Sequence, residues 1–336
     1  MKQLPESKGS YGRFWRMLMG AMPARILMSA LDLGVFDLLD DFRSPAEVAQ
    51  RLNTHPANTR LFLDGLATMD LLEKRHGLYR NLPDTTHFLK RGTPLYLGDL
   101  LRFSWGLCVD PLKDLPKLLR EGPAPGPGME DENLWAEATR SNAAWAFGEM
   151  GRMMAGIVSE LDGFPGFARM LDLGGGHGIF TLYFVQAHPS MTGVVFDRPA
   201  ITRATREFIE AYGMGERVGI AAGNYLTDDL GSGYDLIWAS STLNFARQEL
   251  DSLLTKIYAA LRPAGYFAAF QDGLTHEHTK PDVALGFLPG ALQSGADFGF
   301  DQGEIAQAML KAGFRSVRSR SLDTPMGTMD LDIARK

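Results

Sequence analysis

The stretch MLDLGGGHGIF, Met170 to Phe180, ends an apolar run with Gly174, Gly175, Gly176 and Gly178 inside five positions. Glycine permits positive φ and lets a ligand approach the main chain without meeting a Cβ. The run reads as a buried strand and HGIFTLYFVQAHP as the helix after it. The free N–H groups of the first helical turn then face the same place and favour a negatively polarised group. Four glycines exceed what a tight turn needs. A dinucleotide fingerprint would be G-x-G-x-x-G. Counted from Gly174, its third glycine falls on Ile179, and the pattern fails. The chain carries instead D-x-G-x-G-x-G, at Asp172, Gly174, Gly176 and Gly178. Asp197 closes a second apolar run, TGVVFD, 23 positions after Gly174. A carboxylate there can accept hydrogen bonds from both hydroxyls of a ribose. These residues point to a nucleoside-bearing ligand.

Composition narrows the class of protein that could use such a site. The 336 residues suffice for two ordinary domains, and the 45% apolar and 22% charged content is that of a globular chain. A net charge of −6 argues against a general nucleic-acid binder. Cys108 is the only cysteine, so an internal disulfide and a cysteine-cluster metal site are both excluded, and a reducing, cytoplasmic setting is expected. No apolar run approaches the roughly 18 residues that span a bilayer, and the N-terminal segment lacks a signal-peptide core. Neither a membrane nor a metal is expected.

The elements that must position the site follow from the hydrophobic pattern. The first hundred residues read as helices with one hairpin. RFWRMLMGAMPARILMSALDLGVFDLL is apolar at helical spacing, with Pro23 marking a break or a new first turn. SPAEVAQRL opens with Ser44 as N-cap and Glu47 at the capping-box position. PANTRLFLDGLATMDLLEK follows as a helix, and LLEKRHGLYRNLP as two short strands about His76-Gly77. Helix, helix, hairpin is a winged-helix pattern. As a DNA reader it is poor, because the second helix offers only Arg60, set against Asp64 and Asp70. The first helices are apolar over too broad a face for one small domain to bury, which marks an interface with a second chain. Glu121 to Glu132, rich in Pro and Gly, reads as a surface loop. Residues 133–160 are helical. From Arg169 strand and helix alternate through RMLDLG, TGVVFD, RVGIAAGN, YDLIWAS and YFAAFQD. The helix of DQGEIAQAMLKAGF takes Asp301 as N-cap, and RSVRSRSLD with GTMDLDIAR closes the chain as a hairpin. The fold class is α/β: a doubly wound, mostly parallel sheet with a C-terminal antiparallel hairpin, preceded by a helical winged-helix dimerisation domain. The expected division is 1–100 for that domain, 101–160 for a helical connector and pocket roof, and 161–336 for the ligand-binding sheet.

With the glycine motif, Asp197 and the terminal hairpin together, the chain resembles the class I S-adenosylmethionine-dependent methyltransferases. The N-terminal module, with LDLGVF in its helices, and DGFPGFARMLDLGGGHG narrow the resemblance to the small-molecule O-methyltransferases, which include plant phenolic and bacterial polyketide enzymes. The resemblance implies S-adenosyl-L-methionine as cofactor, a homodimer, and a small-molecule methyl acceptor. It places Gly174, Gly176 and Gly178 at the methionine part, Asp197 at the ribose, Asn224 and Tyr225 beside the adenine, and Ser240 and Ser241 near the sulfonium, and it counts Asp172 and Arg198 among the cofactor-binding residues.

The resemblance breaks where the family carries its chemistry. A His-Asp pair is usual after the fourth strand, and here DLIWASSTLNFARQE puts Asn244 and Phe245 in those places. The Glu that ends the fifth strand is Gln271, followed by Asp272. Asn and Gln keep shape and hydrogen bonding but do not accept a proton near neutral pH. Asn244 and Gln271 are therefore expected to position the acceptor. Three readings of the missing base stay open. A base is displaced to His276, His278 or Asp272; the acceptor is already nucleophilic, as in C- or N-methylation; or the cofactor is held without methyl transfer. The histidines stand on a polar loop, GLTHEHTKP, where solvent exposure is the ordinary state. His177, in the glycine loop, reads as a turn residue. Trp105, Trp145, Met153, Phe287 and Leu292 are expected against the acceptor. Apolar residues dominate Leu285 to Phe300, with no Lys or Arg, which suggests a flat, apolar, aromatic or polycyclic acceptor.

Overall fold

The computed structural model describes residues 9–123, 132–296 and 299–336. Most of the expected loop at Glu121 to Glu132 and part of the Leu285 to Phe300 segment lie outside these residues. Two compact units, Met1–Arg102 and Phe103–Lys336, make up the chain. Helix α5 (Gly98–Cys108) carries the division between them.

The first unit runs α1 (Gly12–Leu33), α2 (Pro45–Leu52), α3 (Pro56–Thr68), β1 (Leu72–Arg75), β2 (Leu78–Asn81) and α4 (Pro83–Leu89). The expected helix–helix–hairpin is present, and β1 pairs antiparallel with β2. Ser44 caps α2 in the full capping box: its hydroxyl accepts the Glu47 N–H, and the Glu47 carboxylate accepts the Ser44 N–H at 2.8 Å. Pro23 does not break the first helix but lies inside α1. The carbonyl it leaves without a helical donor belongs to the exposed Met19, on a turn open to water. Along α1, Phe14, Trp15, Leu18 and Met22 are all more than half exposed.

The second unit begins with α6 (Leu115–Glu121), α7 (Glu132–Ala146) and α8 (Glu149–Ser159). The expected single stretch over 133–160 is thus two helices, separated at Gly148, which takes φ 66°. Strands β3 (Arg169–Leu173), β4 (Thr192–Asp197), β5 (Val218–Ala222), β6 (Tyr234–Ser240) and β7 (Leu261–Gln271) alternate with α9 (Ile179–Gln186), α10 (Thr202–Ala211) and α11 (Leu250–Ala260). Then follow α12 (Ala284–Ser294), α13 (Glu304–Lys311), β8 (Ser316–Thr324) and β9 (Gly327–Arg335). The seven-stranded sheet has the order β5-β4-β3-β6-β7-β9-β8. Its first five strands are parallel; β9 is inserted antiparallel between β7 and β8.

Helices cover both faces, as burial of a parallel sheet requires. One core gathers Met150, Met154 and Val158 of α8 with Phe180, Phe184, Trp238 and Phe270. The other gathers Leu253, Leu254 and Ile257 of α11 with Leu173, Ile237 and Phe267. Gly303, not Asp301, precedes α13 as its N-cap. Asp301 donates its N–H to Glu304 at 2.9 Å, and its carboxylate lies 3.0 Å from His278 Nε2.

Candidate active site

In a parallel sheet the ligand crevice opens at the carboxyl ends of the strands, where the order reverses. Here β3 lies between β4 and β6, and the ends of these three strands enclose a cavity of about 190 Å³. Asp172, Gly174, Gly176, Asp197, Arg198, Asn224, Tyr225, Ser240, Ser241 and Trp145 all line it. The geometry thus gathers nine of the ten cofactor residues expected from sequence. The tenth, Gly178, sits one step back as the N-cap of α9, with φ 72°. A Cβ there would press on Val195 at 3.1 Å and Thr205 at 3.2 Å, so this glycine lets the helix pack on its neighbours.

The cradle is shaped by backbone conformation. Gly174 has φ 63°, and a Cβ on it would overlap the Thr242 hydroxyl. A Cβ on Gly175 would lie 2.5 Å from the Asp172 carboxyl carbon. Asp197, buried at the end of β4, accepts the N–H of Gly176 at 2.8 Å and that of Arg198 at 2.7 Å. Burial still raises its pKa to about 6, because those two bonds offset only part of the lost hydration. Asp172 accepts the Thr181 hydroxyl at 2.7 Å, and burial, with Asp197 nearby, lifts it to about 7. Ser240 presents a buried hydroxyl with no partner among the described residues. An orphaned polar atom of this kind costs stability unless a ligand satisfies it. Buried carboxylates, an orphaned hydroxyl and an open main chain form a donor set suited to a cation-bearing nucleoside such as S-adenosylmethionine. Asp197 would take its ribose, and Asp172 and the glycine main chain its amino acid part.

Asn224 and Tyr225 hold the far wall. Asn224 accepts the Leu226 N–H at 3.0 Å through its side chain. Tyr225 donates to the Thr242 carbonyl at 2.9 Å, and burial pushes its pKa to about 12, so it stays a neutral phenol. His177 also lines the cavity, but burial lowers it to about 4, and its Nδ1 accepts the Ile179 N–H at 3.1 Å. It is a neutral helix-start residue.

At the other end, Gln271 is buried and reaches across to the segment after β6. Its Oε1 accepts the Thr242 N–H at 2.9 Å and its amide donates to the Asn244 side-chain oxygen. The two residues expected to position the acceptor are therefore one hydrogen-bonded pair, set just behind the cavity wall at Thr242 and Phe245. His276 is not brought to the cavity. It is exposed on a turn with φ 53°, its Nδ1 3.0 Å from the Thr275 hydroxyl. Trp105 donates to Asp110 at 2.9 Å, Met153 packs on the first core, and Phe287 and Leu292 are half-buried on α12, all outside the lining.

Helix α7 supplies lining that sequence reading missed. Trp135, Thr139 and Asn142, with Trp145, occupy one face of it over the cavity. Their spacing of four, three and three residues is a helical stripe, and that stripe is legible in the sequence. Trp135 meets Phe245 edge-on at 5.2 Å, and Trp145 meets Phe180 at 5.4 Å. Arg140 of α7 pairs with Glu207 of α10, and Glu132 with Arg198 at 3.2 Å.

Two family models match this chain: an O-methyltransferase dimerisation domain over residues 15–91 and an O-methyltransferase domain over 145–278. The chain belongs to the O-methyltransferase family. It is an S-adenosylmethionine-dependent methyltransferase. Among curated relatives, the enzyme is 26% identical over 321 residues to the tetracenomycin polyketide synthesis 8-O-methyl transferase of Streptomyces glaucescens, covering 94% of each chain. It is 30% identical over 240 residues to the 3-hydroxy-5-methyl-1-naphthoate 3-O-methyltransferase of Streptomyces sahachiroi, 67% of this chain and 66% of that one. Human N-acetylserotonin methyltransferase, solved with S-adenosylmethionine, shares the methyltransferase's fold with a TM-score of 0.79 at 22% identity, covering 99% of both chains. No described helix is long and apolar enough to cross a membrane.

Proposed function

We propose that this methyltransferase transfers the methyl group to a hydroxyl of a small aromatic or polycyclic molecule. The observation that carries this reading is the character of the cavity beyond the cradle. Trp135, Trp145, Phe180 and Phe245 line it without a lysine, and Arg198, the one arginine of the lining, sits beside Asp197 at the ribose end. A flat apolar acceptor suits such walls. The relatives that act on a polyketide and on a naphthoate support the same class. Asn244 and Gln271 orient the acceptor, and residues 101–160 roof it. The test is incubation with S-adenosylmethionine and a series of hydroxylated naphthalenes and anthraquinones, read by mass spectrometry as product carrying one added methyl. O-methyl products support the reading; products methylated only on amines or carbon overturn it.

A second reading, N- or C-methylation, is favoured by one observation. The Asn244–Gln271 pair stands where a base is usual, and a free amine or carbanion needs none. Relatives include an N,N-dimethyltransferase of Streptomyces rimosus, 29% identical over 313 residues, and an L-tyrosine C(3)-methyltransferase of Streptomyces lavendulae, 24% identical over 331.

The enzyme acts as a cytoplasmic homodimer through its first unit. The exposed Phe14, Trp15, Leu18 and Met22 of α1 form the apolar surface that a second copy would cover. α3 is poorly suited to nucleic acid, because Arg60, its one cation, is paired with Asp64 at 3.0 Å. Light scattering at micromolar concentration should give twice the chain mass, and a stable monomer would refute the dimer.

A further inference from the structure

O-methylation of a neutral hydroxyl needs a group that takes the proton, and the Asn244–Gln271 pair offers none. Asp272 follows Gln271 at the carboxyl end of β7. Successive residues along a strand turn to opposite faces. Gln271 turns to Thr242 and Asn244. A Cβ on Gly273 would run into the carboxylate of Asp330, the register partner of Gln271. Continued one residue past the strand, the same alternation turns Asp272 to the other side, that of Phe270, beside the residues that line the cavity and not among them. The register partner of Phe270 is Ser240, and Trp145 stacks over Phe270 at 6.2 Å. Ser240 and Trp145 both line the cavity.

The surroundings of Asp272 offer its carboxyl little beyond its own main-chain N–H. Among the described residues no group other than its own main chain hydrogen-bonds it, and the charge that acts on it is another acid, Asp330. Burial, with Asp330 adding to it, raises its pKa to about 6. The group is then mainly ionised at neutral pH and still basic enough to accept a proton efficiently. A half-buried carboxylate with one main-chain donor and no cation is costly unless a ligand brings more.

We propose that Asp272 is a catalytic residue, the general base for the acceptor hydroxyl; this rests on the O-methylation reading above. Its carboxylate takes the hydroxyl proton as the acceptor oxygen bonds to the methyl carbon. The methyl–sulfur bond breaks and its electron pair stays on sulfur, which becomes a neutral thioether. The products are the methyl ether, S-adenosylhomocysteine and a protonated Asp272.

Two arms test the assignment on the full chain saturated with S-adenosylhomocysteine, which shields Asp172 and Asp197. Dicyclohexylcarbodiimide, which modifies protonated carboxyls open to an apolar cavity, is applied near pH 6, the value for this group. Peptide mass spectrometry should find the label on Asp272, and 1-naphthol, as acceptor probe, should slow its appearance. No label at Asp272 overturns the proposal, whether or not 1-naphthol is turned over. In the second arm, with S-adenosylmethionine and 1-naphthol, Asp272→Asn should lower kcat by about 100-fold or more, the usual scale of a lost general base. KM should hold within about threefold, and the acidic limb of the kcat profile should disappear. Asp272→Glu should recover part of the rate. Wild-type turnover by Asp272→Asn overturns the proposal. Calorimetry of S-adenosylhomocysteine comes first, and failure of the wild type to bind it would fault the methyltransferase reading instead.

Discussion

At the cofactor end of the cavity, Asp172 and Asp197 are buried carboxyls with raised pKa values, held among main-chain donors. At the acceptor end, the neighbouring positions are filled by Asn244 and Gln271, an uncharged pair that hydrogen-bonds to itself and to the Thr242 main chain. The first region stores electrostatic stress that a cationic ligand relieves. The Asn244–Gln271 pair stores none, and its hydrogen bonds do not change with pH; the charge at that end is on Asp272. Binding in this enzyme should therefore respond to pH and to charge removal, whereas acceptor positioning should respond to shape. Each half can be broken separately.

The largest effect is expected at Gly174. Its positive φ and the overlap of any Cβ with Thr242 mean that Gly174→Ala strains the main chain and crowds the wall together. The cost is about 2–4 kcal/mol, to be read from urea unfolding, and S-adenosylhomocysteine affinity should fall in calorimetry. Asp197→Ala comes next. It removes hydrogen bonds to a charged group, worth about 1.5–3 kcal/mol, or roughly 10- to 150-fold in affinity. Unchanged binding would remove Asp197 from the site. Asn244→Ala should then cost roughly 10- to 100-fold in kcat while cofactor affinity holds, and Asn244→His should bring no gain. In Asn244→His the new imidazole would face Gln271 and Phe245 with no carboxylate to orient it.

A smaller effect is expected from pH. Both carboxyls have folded pKa values above the ordinary value of 3.8, so the native state binds more protons than the unfolded one between pH 4 and 7. Stability of the ligand-free enzyme from these groups is greatest below their unfolded pKa and is lost as pH rises through 6 and 7. A cationic ligand favours the ionised forms, so S-adenosylmethionine affinity should rise over the same window, by about tenfold for each unit of pKa it restores. Asp172→Asn should remove the upper part of that rise. The smallest effect belongs outside the cavity altogether. Ser44→Ala breaks a capping box in the first unit and should cost about 1 kcal/mol of stability, with cofactor affinity unchanged.

The glycines and acids that line the cavity were legible in the sequence because their constraints are local. Glycines at the end of an apolar run, and an acid at the end of the next, state their own reason. For Gly178 the spacing does not tell a ligand's approach from a helix's approach to Val195, and the structure shows the second. The acceptor half was less legible because its partners come from distant elements. Asn244 and Gln271 meet only once β6 and β7 lie side by side, and His276 is turned outward by a loop whose path no periodicity encodes. The face of α7 was readable but overlooked, since Trp135, Thr139 and Asn142 mix apolar and polar types and so give no simple amphipathic stripe. Pro23 misled in the opposite direction. A proline breaks a helix where the freed carbonyl is buried, and on α1 that carbonyl belongs to an exposed turn.

The insertion of β9 bears on the order in which the enzyme is assembled. Gln271 pairs in register with Asp330, so the strand that steadies the acceptor end comes from beyond β8. During synthesis the glycine loop, β4, β5, β6 and β7 leave the ribosome while one edge of β7 is still open. A strand that must enter between two others closes a long loop, and such non-local pairing is slow. The nascent chain should therefore acquire a cofactor cradle before it acquires a finished acceptor wall, and methyl transfer should be the last property to appear.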